Sequence, residues 1–383
     1  MKYIVIIGDG MSGWPSDSTE GKTALEIANT PNLDLLARKG EIGLVKNTPD
    51  GLPPGSDVCN LSVFGYNPVK YYSGRAPIEA VAQGIALADD ETVFRANLVT
   101  VEDGKMKDFT AGHISSEDGK KCIQSLNKLI ENNKKMQFHP GVSYRNLFII
   151  KGEKFKLVTT PPHDITGKQI EFFLPGGQGD DVIRDIMLKS VEVLPNDTKA
   201  NMVWLWGEGK RISLPTFESR HCLRGAVITA VDLFKGLGLS AGMDNIVVPG
   251  VTGFLDTNYE GKARYAIVAL EKYDIVFIHV EAPDEAGHTG DLNLKVQAIE
   301  DFDKRVIGTI LSEIGEIDFK LLILPDHPTP IEIKTHSRDD VPYLIYDSRM
   351  DRGDKKAVYT EKYAAEMSNE SIIGYKLMSR FIS

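Results

Sequence analysis

The sequence predicts an α/β protein with a mostly parallel sheet flanked by helices, interrupted by a smaller α+β domain. Two observations predict the core. Three short runs, "YIVII" (3–7), "DIVFIHV" (274–280) and "KLLILP" (320–325), are rich in Ile, Val and Leu without strict alternation. Strands covered on both faces by helices read this way. Helical patterns lie between and after them: "NLDLLARKG" (32–40) closes on Arg, Lys and Gly, a helix C-terminus signal, and 258–273 and 291–315 carry apolar residues three and four apart. A third observation predicts the interruption. From about residue 76 to 211 the segments are shorter and more mixed, and "TTPPHD", "LPGGQGD" and "VLPND" punctuate them. The core is therefore expected to comprise 1–75 and 212–383, with 76–211 inserted as a second domain.

The ends of the three strands carry the chemistry. The first ends in Gly8-Asp9-Gly10, the second runs into "EAPDEAGHTGD" (281–291), and the third ends in Asp326-His327 before His336. Ligands of doubly wound sheets bind at the carboxyl ends of strands. If the three strands are parallel, their loops gather Asp9, Asp284, His288, Asp326, His327 and His336 at one edge. "EAPDEAGHTGD" is read as the loop that offers Asp284 and His288 there. Three carboxylates and three imidazoles are enough for two divalent cations, and mixed N/O ligation suits Mn2+ or Zn2+ better than Ca2+. Singly, each piece has a plainer reading: solvated loop charges, a turn before Pro328, or turn chemistry at Gly10. It is their recurrence at three strand ends that favours metal.

"GLPPGSDVCNLSVFGY" (51–66) adds a hydroxyl. Ser56 falls at or just before the first turn of a helix, where free N–H groups and the positive dipole end favour phosphate. An N-cap is the commonest use of such a serine. Beside a dication the same hydroxyl becomes a nucleophile near neutral pH, and two metals can hold both oxygens of an in-line phosphoryl displacement.

Composition excludes other classes. Net charge is −10 and there is no long basic run, so neither nucleic acid nor an anionic membrane is expected as partner. Cys59, Cys122 and Cys222 are odd in number and far apart, which fits a reducing compartment rather than a disulfide framework. The apolar run before Gly8 is too short for a signal peptide or a spanning helix. The expected location is the cytoplasm.

"GDGM", "PPGSDVCNLSVFGY", "APDEAGH", "PDHPTP" and "THSRDDVP" resemble the alkaline phosphatase superfamily. Within it, "TTPPHDITGK", "WLWGEG", "GAVITAVDLFKGLG" and "GFLDTNYEGKA" make the chain similar to the cofactor-independent phosphoglycerate mutases of archaeal type. The resemblance implies an alkaline-phosphatase-like core and the interconversion of 3- and 2-phosphoglycerate, a small phosphorylated hydroxy acid, without 2,3-bisphosphoglycerate. It implies two divalent ions, Mn2+ first, with Zn2+, Co2+ or Mg2+ as alternatives. Asp284, His288 and His336 match the ligands of one; Asp9, Ser56, Asp326 and His327 match those of the other. Ser56 matches the nucleophile that becomes phosphoserine, and Lys262 a lysine that neutralises the transferring phosphoryl group.

In the inserted domain, His113 and Asp164 look like residues that meet the glycerate, with His163 beside them and Asp164 as proton shuttle. Arg75, near the domain border, is a candidate for the substrate carboxylate, with a surface salt bridge as its plainer role. The larger branch of these mutases has an Asp-Arg pair where "HDITG" supplies only the aspartate; Arg145, Lys168 and Arg184 are unranked replacements. A domain closing over the site would keep water from phosphoserine and glycerate from escaping. The rival readings are a phosphomonoesterase on the same core, phosphoryl transfer to another hydroxyl compound such as homoserine, and a silent metal-binding scaffold.

Overall fold

The computed structural model describes residues 1–16, 19–351 and 354–383. The chain forms two compact units, Met1–Tyr72 with Leu214–Ser383, and Ser73–Ser213.

The first unit is built on an eight-stranded sheet. Its strands run in the order Asp244–Asn245, Gly225–Ile228, Ile275–Val280, Lys2–Gly8, Phe319–Leu324, Val341–Asp347, Glu41–Lys46 and Ile372–Ile373. The three apolar runs are thus neighbours at the centre. Lys2–Gly8 pairs in parallel with both flanking strands, Ile7 lying opposite His279 on one side and Leu324 on the other. Val341–Asp347 runs antiparallel to both its neighbours.

Both faces of the centre are covered, which explains why these strands read as continuous apolar runs. Ile4, Ile6, Val276, Ile278, Leu321 and Ile323 join Ala263, Ala266, Ile299, Phe302 and Ile310 in one core cluster. Phe277, on the opposite pleat, stacks on Phe64 at 4.5 Å and meets Phe217 edge-on at 5.7 Å. Each such side chain taken out of water contributes about 1.5–3 kcal/mol, so the sheet centre carries much of the unit's apolar stabilisation.

The second unit holds an antiparallel sheet in the order Lys105–Asp108, Glu91–Glu102, Arg145–Lys151 and Met136–Val142, with Met202–Lys210 also paired to Glu91–Glu102. Helices Ser116–Leu129 and Asp180–Val193 supply Cys122, Ile123, Leu126, Ile183, Ile186 and Met187 to a core shared with Phe94, Phe138, Phe148 and Trp204. Ser115 starts the first of these helices by accepting a hydrogen bond from Asp118 N. Among the described residues no helix is long and apolar enough to cross a membrane.

Candidate active site

Parallel pairing brings the strand ends level. Asp9 N donates to Val280 O at 3.0 Å, so the turn after the first strand is fixed to the end of the second. Gly10 takes φ +60°, and a Cβ there would lie 2.4 Å from Asp284 Oδ1 and 2.5 Å from Thr329 Oγ1; only glycine lets the segments approach so closely. Gly10 N donates to Asp326 Oδ1 at 3.2 Å, as does His327 N at 2.9 Å. Asp9, Asp326 and His327, all buried, present donor atoms within 4.8 Å of one another.

Asp284, His288 and His336 form a second such set. Here the structure corrects the sequence reading. "EAPDEAGHTGD" is not a loop: Ala282–Thr289 is a helix, with Pro283 in its first turn and Gly290 in the left-handed region ending it. The i, i+4 spacing therefore puts Asp284 and His288 on one face, Oδ2 and Nε2 3.1 Å apart. His288 Nδ1 lies 2.9 Å from Lys334 O, and its Nε2 faces His336 Nε2 at 3.2 Å. The rings of His336 and His327 stack at 3.9 Å, so the two sets adjoin.

Ser56 is the first residue of helix Ser56–Val63, whose cap is Gly55. The serine is therefore inside the helix and is not its cap. Its Oγ lies 3.0 Å from His327 Nε2. One turn on, Asn60 Nδ2 donates to Asp326 Oδ2 at 2.7 Å, so this helix face is fastened to the Asp9–Asp326–His327 set.

The electrostatics follow from crowding carboxylates away from water. Burial, then Asp326, Glu281 and Asp284, push the Asp9 carboxyl well above its usual range, and burial also raises Asp326. Burial would raise Asp284 too, but His336 and His288 outweigh it and hold that carboxyl well below its usual range. Asp9 Oδ1 is buried with no hydrogen-bond partner among the described residues. A buried orphan carboxylate oxygen, two facing imidazole nitrogens and a mixed N/O donor set all fit divalent cations.

Lys262 is wholly buried behind this edge. Its Nζ donates to His279 O at 2.7 Å, and burial lowers it to about 8.

The family model of 2,3-bisphosphoglycerate-independent phosphoglycerate mutase matches residues 37–199. A protein of that name from Methanosarcina barkeri is 50% identical over 382 residues, covering 96% of each chain. The chain belongs to the 2,3-bisphosphoglycerate-independent phosphoglycerate mutases. As a phosphoglycerate mutase it is an isomerase. The Methanothermobacter thermautotrophicus protein called 2,3-bisphosphoglycerate-independent phosphoglycerate mutase 2 is 45% identical, covering 99% of this chain and 96% of that one. Among solved structures, a Pyrococcus horikoshii protein matches with TM-score 0.81 at 28% identity over 100% of this chain and 96% of that one. The cofactor-independent phosphoglycerate mutase of Thermoplasma acidophilum shares the fold, with TM-score 0.64 at 23% identity over 100% and 99% of the two chains.

The mutase's second unit holds the remaining predicted residues. His113 is exposed with φ +54°, and its N donates to Thr110 Oγ1. His163 and Asp164 lie on the short helix Pro162–Ile165, 3.7 Å apart. The His163 ring sits 5.9 Å from Phe109 and 5.7 Å from Trp206. Arg75 pairs with Glu79 at 3.1 Å, and Arg95, almost wholly buried, reaches the same carboxylate at 2.9 Å and lies over Trp206 at 4.4 Å. Of the three unranked basic residues, Arg145 acts on Glu79 and Arg95 electrostatically, whereas Lys168 donates to Asp164 O and Arg184 to Pro175 O.

Sequence reasoning assigned no role to several polar residues of this edge. His279 Nε2 is 2.8 Å from Asp9 Oδ2, and Asp9, His279 and Glu281 form a third converging set. Asn60, four residues after Ser56, had a legible signal in its spacing. Arg95 and Lys295 had none, because nothing local marks a cation that will be buried.

Proposed function

We propose that this mutase interconverts 3-phosphoglycerate and 2-phosphoglycerate through phosphoserine at Ser56, with two divalent cations, Mn2+ first. Asp284, His288 and His336 would hold one, and Asp9, Asp326, His327 and Ser56 the other. The observation that carries this reading is the 3.0 Å approach of Ser56 Oγ to His327 Nε2 from the first residue of a helix. The hydroxyl is turned to the donor set; Val58 N is taken by Gly55 O and Asp57 Oδ1, so the N–H groups of Ser56 and Asp57 are the ones that would meet an anion. Bound cations would supply positive charge for the phosphoryl oxygens and ease loss of the Ser56 proton.

In the first transfer Ser56 Oγ bonds to phosphorus as the bond from phosphorus to the substrate's 3-oxygen breaks. The glycerate turns, and its 2-oxygen then takes the phosphoryl group as the bond to Oγ breaks. Asp164 gives a proton to the 3-oxygen and receives one from the 2-hydroxyl, which balances the cycle. His113, His163 and Arg75 bind the glycerate. Lys262, protonated in greater part at neutral pH, neutralises charge on the transferring group.

The test is 3-phosphoglycerate with Mn2+ and no 2,3-bisphosphoglycerate, using wild type and Ser56→Ala. Wild type should form 2-phosphoglycerate, and the variant should lose at least about a thousandfold in kcat, as removal of a nucleophile does. Ser56-dependent release of inorganic phosphate without isomerisation would make it a phosphomonoesterase. Silence in both assays would refute the substrate and leave hydroxyl acceptors such as homoserine to be tried.

A further inference from the structure

We propose that Thr329 is a positioning residue that joins the two cation-binding sets, and that Lys295 holds it in place. This rests on the two-cation reading above. Thr329 is wholly buried between the sets. A hydroxyl has one hydrogen to give and two lone pairs to offer. Thr329 Oγ1 gives its hydrogen to Asp284 Oδ1 at 2.5 Å. His327 Nδ1 lies 3.3 Å from the same oxygen. With its only hydrogen committed to Asp284, Thr329 can only accept from His327. The His327 proton is thereby placed on Nδ1. Nε2 keeps its lone pair, which can accept from Ser56 Oγ (3.0 Å) and, beside Asp326 Oδ2 (3.3 Å) and Asp9 Oδ1 (3.5 Å), is placed to share a cation with those carboxylate oxygens. One hydroxyl thus orients the carboxylate of one set and, together with the Pro328 carbonyl that also accepts from the His327 ring, holds the metal-binding tautomer in the other.

The backbone around Thr329 is held to match. Thr329 N donates to Ser12 O at 3.0 Å. Lys295, wholly buried, directs its ammonium at Thr329 O, at Gly10 O (2.8 Å) and at Ser12 O (3.1 Å). Its three hydrogens meet three carbonyls, which bind the segment after Asp9 to the segment after His327. Two glycines make room. A Cβ at Gly10 would lie 2.5 Å from Thr329 Oγ1, and one at Gly287 would lie 2.7 Å from Thr329 O. Loops from two strands and the Asp284 helix therefore close on one threonine. A threonine present only to fill space would be replaceable by valine, which has the same shape without the hydroxyl.

The test counts Mn2+ ions and their affinities by calorimetry in wild type, Thr329→Val, Thr329→Ser and Lys295→Met. Wild type should bind two ions. Thr329→Val should weaken both at least about tenfold, the usual effect of removing a group that orients ligands, and Thr329→Ser should recover most of that loss. Lys295→Met should also weaken both. In parallel, 15N spectra of histidine-labelled, metal-free wild type should show His327 protonated on Nδ1. That measurement stands even if a variant fails to fold. Normal binding of both ions by Thr329→Val, loss at one set alone, or an Nε2-protonated His327 overturns the proposal. A wild type that binds fewer than two ions refutes the two-cation reading, and the proposal with it.

Discussion

Replacing Gly10 with alanine should damage both the fold and the metal sets, by amounts the structure sets. The added Cβ would lie 2.8 Å from the Asp284 backbone Cα, as well as against two side-chain oxygens. That is about 0.7 Å short of the roughly 3.5 Å at which carbons pack without repulsion. The side chains can rotate; the Cα moves only if its helix moves. Alanine at φ +60° adds about 1–2 kcal/mol of left-handed strain, and overpacking of this kind costs about 1–3 kcal/mol more. Gly315 provides the control, with φ +72° and open space where a Cβ would go, so Gly315→Ala carries the strain alone. Urea denaturation of the metal-free proteins should show Gly10→Ala losing about 2–5 kcal/mol against about 1–2 for Gly315→Ala. Since coordination tolerates only about 0.2 Å of error, Gly10→Ala should also lose Mn2+ binding at the proposed Asp284–His288–His336 set, while Gly315→Ala binds normally. Equal losses in the two variants, with both ions still bound to Gly10→Ala, would refute the close-approach reasoning.

Two further outcomes follow from charge. Burial works against a charged His288, but Asp284 beside it raises the imidazole to about 9, so below that pH a cation must displace a proton. Mn2+ affinity at the Asp284–His288–His336 set should rise about tenfold per pH unit from 6 to 8, with about one proton released by the ion bound there; calorimetry in buffers of different ionisation heat measures this, and a flat profile would refute it. In the metal-free protein the same raised pKa contributes stability that is complete below about 6.5 and lost as pH rises through about 9. In the second unit, Glu79→Gln should cost about 3–5 kcal/mol, because it leaves buried Arg95 uncompensated. Burial raises the Glu79 carboxyl, yet Arg95 and Arg75 together hold it below its ordinary value. Its contribution is thus present above about 4.5 and lost as pH falls, and the acid limb of urea stability should flatten in the variant.

The centre of the sheet was readable because strands covered on both faces leave an unmistakable apolar run. Residues 3–7, 274–280 and 320–325 became Lys2–Gly8, Ile275–Val280 and Phe319–Leu324. Glu41–Lys46 escaped notice because only Gly43 and Val45 are buried, and Pro342 disguises Val341–Asp347. The helix at Ala282–Thr289 was mistaken for a loop because its charged residues follow directly on a buried strand; Pro283 opens the helix and Gly287 makes room for Thr329 O. His279 lay hidden in a buried strand, where a histidine ordinarily reads as a packed core residue. Thr329 and Lys295 act through contacts that no local spacing announces, whereas Asp284 and His288 share a face by simple arithmetic.

The position of Lys2–Gly8 at the centre of the sheet also decides when the site comes into being. Asp9 meets His279 across 270 residues of chain, and Gly10 meets Asp326 across 316. The first strand to leave the ribosome must therefore wait for partners translated near the end. Ser73–Ser213 is contiguous and contains its own core, so it can collapse during that interval, as domains do when synthesis runs from the N-terminus. Contacts of such long range make the larger unit the slow one to form, with an apolar strand waiting unpaired. Ser56 is made early but has no His327 to face until the chain is nearly finished. A chain cut short before Phe319–Leu324 therefore lacks the Asp9–Asp326–His327 set altogether.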